Sequence, residues 1–186
     1  METAILLALT LECALPATPL PSPATLVTHH VRAEQPELRA LVREGLARSS
    51  TFRSLMARLE ETDVVVYLRT AIITGGLGGF VPHRVAAYDG GRYVMAVVTR
   101  EGGPNRRIGV IAHELQHALE IGREPDVGRT RSVHDLFKRI GAPTGARNSY
   151  ETTEAIAVES TVRSEHGRAR NGTPEGRCAS SRLTVQ

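Results

Sequence analysis

His113 and His117 stand four residues apart, with Glu114 directly after the first, in the run Ile111-Ala112-His113-Glu114-Leu115-Gln116-His117-Ala118-Leu119. On an α-helix that spacing puts both imidazoles on one face, about 6 Å apart along the axis. Two imidazoles so placed can both reach a single Zn²⁺ at bond lengths of roughly 2.0–2.1 Å. Glu114 lies about 100° round the helix, where its carboxylate can meet a water held by the metal rather than the metal itself. The chemistry this spacing allows is that of a water activated on a metal ion beside a carboxylate.

For this chemistry the stretch must be helical, and its flanks supply the reason. Ile108, Ile111, Ala112, Leu115 and Leu119 recur at helical spacing on the side away from both histidines, so one face is expected in a core and the other in a cleft. Gly122 and Pro125 are the expected stop.

A catalytic zinc takes three protein ligands and keeps one position open, so a further ligand must come from elsewhere. Arg123 stands where the pattern H-E-x-x-H-x-x-G-x-x-H requires its last histidine, and Glu120 replaces its glycine. That arrangement is excluded. Glu120 shares the histidine face but lies about 10 Å along the axis from His113, so it belongs beside the ligands or in solvent. Asp126 and His134 are weaker candidates. The last helix, expected from Tyr150 to about Arg163 behind an Asn148-Ser149 cap, offers more. At about 100° per residue, Ala155, Val158 and Val162 fall within about 40° of Glu151, which places Glu151 in an apolar stripe. A carboxylate there is costly unless paired or bound to a metal. Glu154 lies about 60° off the stripe and Glu159 about 80°, nearer to solvent. Glu151 is the expected third ligand and Glu154 its rival.

The remaining chain must hold these residues. From Glu34 it reads as helical, with Pro36 at a first helical position, and Ser49-Ser50-Thr51 can cap a second helix carrying Phe52, Leu55, Met56 and Leu59. Asp63 to Ile73 is a β-branched strand, and Arg84–Tyr88 with Arg92–Thr99 form a hairpin around Asp89-Gly90-Gly91. The glycine run from Thr74 to Phe80 reads as a flexible turn rather than a phosphate loop, since no Gly-Lys-Ser/Thr follows. His83, beside Pro82, reads as a solvated loop histidine. An edge strand beside the cleft could pair with an extended peptide. Ser132 with Asp135 makes a capping box for a short helix ended by Gly141 and Pro143. Beyond His166 little is apolar, and residues 167–186 are expected to fray. The fold class expected is α+β, with a small antiparallel or mixed sheet on the motif helix and a ligand helix after it.

The chain of 186 residues suits one domain over 34–166. Its net charge is +3, but Lys138 is its single lysine and the arginines are scattered among acids. Nucleic acid is therefore not an expected partner. Residues 1–23 carry the apolar run Ala4–Leu11 followed by Pro16, Pro19, Pro21 and Pro23. They read as a signal peptide despite Glu2 in place of a basic residue, so the mature chain is expected to be exported, without stable membrane insertion. Neither Cys13 nor Cys178 supports a disulfide or metal role. A monomer is expected.

Ile111 to Ala118 resembles the zincin metallopeptidase motif in its stricter form, apolar two before the first histidine and after the glutamate. A distal glutamate on a following helix is similar to the gluzincin branch. The stretch Glu154-Ala155-Ile156-Ala157 resembles the thermolysin-type E-A-x-x pattern, which favours Glu154. Roughly residues 50 to 165 also resemble a group of uncharacterised, often exported bacterial proteins sharing His113–Glu120 and Tyr150-Glu151-Thr152, which favours Glu151. The resemblance implies a minimal zincin-like core and a zinc peptidase acting on a peptide or protein. Zinc on His113, His117 and Glu151 would activate water, Glu114 would shuttle its proton, and Tyr150, His134 or Arg163 would donate to the oxyanion. The alternative it leaves is a zinc-holding but inactive binding module of the cell envelope.

Overall fold

The computed structural model describes residues 29–73, 77–144 and 149–171. The leader, both cysteines and Asn148 lie outside them. Element order is β1 (Val31–Ala33), α1 (Pro36–Arg48), α2 (Ser50–Glu60), β2 (Val64–Ala71), β3 (Gly79–Phe80), β4 (Val85–Tyr88), β5 (Gly91–Thr99), α3 (Pro104–Gly122), α4 (Val133–Ile140), β6 (Ala142–Pro143), β7 (Tyr150–Glu151) and α5 (Thr153–Asn171). The class is α+β with a small mixed sheet.

β1, β2 and β5 run parallel, and β1 reaches β2 through α1 and α2. The far side of β5 is shared by two short antiparallel strands, β4 against its first half and β3 against its second. Asp89 and Gly90 take φ of +46° and +78°, the left-handed pair that a two-residue hairpin turn needs to match strand twist. Alternation gives the sheet one covered face: Val64, Val66, Leu68, Val94, Ala96 and Val98 are buried under the helices. Val65, Tyr67, Tyr93 and Met95 look the other way, half-buried or exposed.

α3 lies between that sheet and α1, α2 and α5. Every residue from Arg107 to Ile121 is buried, so the expected division into a core face and an open cleft face does not hold. α5 and β3 close over the histidine side. Two polar devices fix this packing. Arg92 is fully buried; its Nε and Nη2 donate to Asp63, Nη1 to the carbonyls of Ile121, Glu124 and Val127, and Nη2 also to Gly122 O. It ties the C-terminal carbonyls of α3 to β5. At the other end, Ser49 caps α2 by accepting from Phe52 N at 2.9 Å. Glu165 of α5 adds to that cap, accepting from the hydroxyls of Ser49, Ser50 and Thr51 and from Thr51 N.

Several boundaries depart from expectation. β1 precedes the helical region, and the end of the glycine run is not a free turn but strand β3. Both are short strands formed by an available partner edge rather than by propensity. The last helix begins at Thr153 rather than Tyr150, since Tyr150 and Glu151 pair with β6 instead. Its cap is Thr152, whose Oγ1 accepts from Ala155 N at 3.2 Å. The helix also continues past His166 to Asn171. Among the described residues, no helix is long and apolar enough to cross a membrane.

Candidate metal centre

The helical spacing of α3 delivers His113 and His117 side by side, their rings 4.8 Å apart and nearly perpendicular. β7 brings Glu151 across both. Glu151 Oε2 lies 2.7 Å from His113 Nε2 and 3.6 Å from His117 Nε2. One ligand atom from each of the three falls within 4.8 Å of the others, and these residues could hold a metal ion. A tetrahedral ion with bonds of about 2.0–2.1 Å needs its ligand atoms about 3.3 Å apart, close to this spread. The donor set also fits on chemical grounds. Glu151 Oε2 is buried and makes no aligned hydrogen bond although a ring nitrogen is 2.7 Å away. Lone pairs that converge without a shared proton are suited to a cation.

Each imidazole has a carboxylate behind it. His117 Nδ1 is 3.0 Å from Glu120 Oε2, and Glu120 Oε1 accepts from the Thr152 hydroxyl at 2.7 Å. His113 Nδ1 lies 3.2 Å from Glu159 Oε2 on α5, within ion-pair reach but off hydrogen-bond alignment. Such partners orient metal-binding rings and raise their basicity. Gly109 lets α5 come this close: a Cβ there would sit 2.4 Å from Arg163 Cγ.

Electrostatics follow from the crowding. Burial alone would lower the His113 pKa, but Glu151 and Glu159 outweigh it and push it up to about 10. Against the same burial, Glu120 and Glu151 push His117 up to about 9. Glu151 is held down to about 2 by the two imidazoles, and His113 likewise lowers Glu159. Burial raises Glu114 to about 7 against the opposing pull of His117 and His113. The centre is built to hold positive charge, and a cation can take the place of its protons.

Glu114 reaches a cavity of about 240 Å³ also lined by Leu77, Phe80, His117, Phe137, Tyr150 and Glu151. β3 passes directly over its carboxylate. A Cβ on Gly79 would fall 2.7 Å from Glu114 Oε1 and 2.7 Å from Val97 O, so only glycine lets the strand cross there. Phe137 of α4 backs His117, ring on edge at 5.0 Å.

His113, Glu114, His117 and Glu151 are thus brought together, but Glu151 arrives from a strand and not from the apolar stripe of a helix. Glu154, the rival, is exposed and turned away, accepting from Gln116 and Arg123 at 2.8 Å each. Asp126 is exposed in the turn after α3. Tyr150 lines the cavity with its hydroxyl 3.5 Å from His134 Nε2, and His134 stands behind it. Arg163 instead pairs with Glu159 at 3.4 Å and does not line the cavity. Glu120 proves buried beside His117 rather than in solvent. Glu159, read as near solvent, stands behind His113. His83 is exposed, yet it lines the cavity and sets its ring edge-on to His134 at 5.6 Å; partial desolvation of the ring and the His134 charge lower its pKa. The sequence assigns no role to Thr152 or to Gly79. The one available signal for Glu159 and Glu120 was the general need of a metal-binding imidazole for a second partner. No family model matches the chain, and neither a curated protein nor a solved structure is significantly similar to it.

Proposed function

We propose that this protein is a zinc-dependent peptidase that hydrolyses peptide bonds of a peptide or protein substrate. The observation that carries the reading is the convergence of His113, His117 and Glu151 within 4.8 Å of one another, with buried Glu114 beside them and open to the same cavity. Two imidazoles and one carboxylate form a donor set used by catalytic zinc. When bound, the ion supplies Lewis acidity and acidifies a water molecule.

The chain's own residues do the rest. Glu114, with a pKa near 7, is poised to accept a proton from the attacking water and return it to the departing amine. Glu120 and Glu159 hold the two rings in orientation. Tyr150, in the cavity wall, is the side chain placed to donate to the developing oxyanion, with His134 fixing its hydroxyl. β3, the edge strand over Glu114, offers backbone groups to an extended substrate.

The decisive test compares wild type with Glu114→Gln for zinc content and for hydrolysis of mixed fluorogenic peptides. Both proteins should carry about one zinc, and turnover should fall at least a hundredfold in the variant. Equal turnover would remove Glu114 from the mechanism. Zinc in wild type with no turnover on any peptide would leave a binding module.

A further inference from the structure

A groove of about 930 Å³ adjoins the metal cavity and has no part in the chemistry above. Pro82 and His83 line both spaces and form the sill between them. The register of the edge strands explains why the groove exists. Phe80 pairs with Val97 and Val85 with Val94, so Val81–Arg84, four residues, stand opposite Met95 and Ala96 alone. The two extra residues bulge away from β5 and leave Met95 39 % exposed. Tyr67, Tyr93 and Met95, on the sheet face opposite the one packed on α3, line one part of the groove, and Val85 lines another.

The walls are preformed. Gly128, at φ +82°, presses against Val85, where a Cβ would meet the valine at 2.6 Å. Arg129, next to it, is pinned by Asp63 at 3.0 Å and by Gly90 O at 2.7 Å. Arg131 is taken up by Glu124 and Glu34 by Arg69. Arg84 differs: it is exposed, it lines the groove, and it has no carboxylate partner among the described residues. The groove therefore presents an apolar, aromatic surface with one uncompensated cation at its margin.

We propose that this groove binds the substrate polypeptide several residues away from the bond being cleaved, and selects an extended segment carrying apolar side chains and a nearby acidic residue. The occupant follows from continuity and charge. A chain lying over Glu114 and leaving past His83 runs directly into the groove, and Arg84 complements a carboxylate on that chain. The inference rests on the peptidase reading for its occupant. It also deepens that reading, because it predicts a preference for long substrates over short ones.

The test uses the full-length, zinc-loaded protein and two probes: a fluorescent peptide of roughly 12 residues, enough to span both spaces when extended, with alternating leucines and a glutamate, and a quenched tripeptide that can fill only the metal cavity. Binding of the long probe is measured on the Glu114→Gln background by anisotropy, so that no turnover is required. Met95→Arg, which places a long cation in the exposed groove, and Arg84→Glu should each weaken that binding about tenfold. In the wild-type background both substitutions should leave tripeptide hydrolysis unchanged. A glutamate-to-lysine version of the long probe should reverse the Arg84→Glu effect. Long-probe binding indifferent to both substitutions would overturn the groove while leaving the peptidase standing. Groove-dependent binding with no hydrolysis of either probe by wild type would do the opposite.

Discussion

Two buried charged clusters lie along α3, one at its C-terminal end and one at its middle, and they are finished differently. At the C-terminal end Arg92 spends all three of its nitrogens on Asp63 and four carbonyl oxygens. Around His113 the reverse holds: Glu114 Oε2 and Glu151 Oε2 are buried with no aligned partner, and Glu151 Oε2 lies 2.7 Å from His113 Nε2 and 3.6 Å from His117 Nε2. Unpaired atoms alone do not mark a site, since Arg107 also keeps two nitrogens unpaired. What separates the two clusters is convergence. A buried charge whose donors are all used holds elements together, whereas buried acceptors aimed at one point are arranged for something that is not protein.

The comparison can be broken at either end. Arg92→Met should cost the largest amount, about 3–5 kcal/mol of unfolding free energy, because Asp63 and the α3 carbonyls lose their donor in a buried place. Chemical denaturation would show this equally in zinc-loaded and zinc-free protein, and a loss confined to the loaded form would make Arg92 part of the metal site. Next, Glu151→Ala should lower zinc affinity roughly a hundredfold, while Glu154→Ala keeps zinc. Competition with a chelating dye reads both, and the opposite ranking would transfer the ligand role to Glu154.

Thr152 sharpens the contrast, since its hydroxyl both caps α5 and donates to Glu120, the residue behind His117. Thr152→Val should weaken zinc binding about tenfold and Thr152→Ser should restore it. A loss of stability without a loss of affinity would reduce Thr152 to a helix cap. The same centre also sets a pH dependence. His113 and His117 have folded pKa values raised to about 10 and about 9, so the stability they contribute is complete below about 6.5 and lost as pH rises through those values. Glu114, raised to about 7, prefers its proton in the fold and adds to the loss between about 4.5 and 7. Glu151, lowered to about 2, acts at the acid end, contributing above its unfolded value and fading as pH falls toward 2. Zinc-free protein should therefore lose stability from pH 6.5 to 10, and saturation with zinc should flatten that arm of a thermal-melting profile.

Local patterns were legible in the sequence, and partnerships across the chain were not. The motif helix follows from spacing within 19 residues, and the β4–β5 hairpin from Asp89-Gly90, because each is decided by neighbours in sequence. Glu151 was reached by extending a helical wheel across residues that turn out to be a strand and a cap. Glu151 does stand beside both histidines, but its position comes from pairing with β6. Glu159 looked solvent-facing on that wheel, yet Gly109 lets α5 settle deeply enough for it to meet His113. Arg92 reads as an ordinary polar strand residue because its partners lie 29 to 35 positions away. β1 and β3 are three and two residues long and exist only because a ladder receives them. How α3 and α5 cross, and which edge is free, depends on the summed packing of all the elements rather than on any window of sequence.

The reach of Glu165 back to the first turn of α2 carries a mechanical consequence. The segment that ends in this clasp also begins with Glu151 and Thr152 and contains Glu159. Peeling that segment away would open the His113–His117–Glu151 cluster and fray a helix more than a hundred positions earlier as one cooperative opening. Amide exchange at Phe52 and Arg53 should then report on whether zinc is held, although neither residue comes near it.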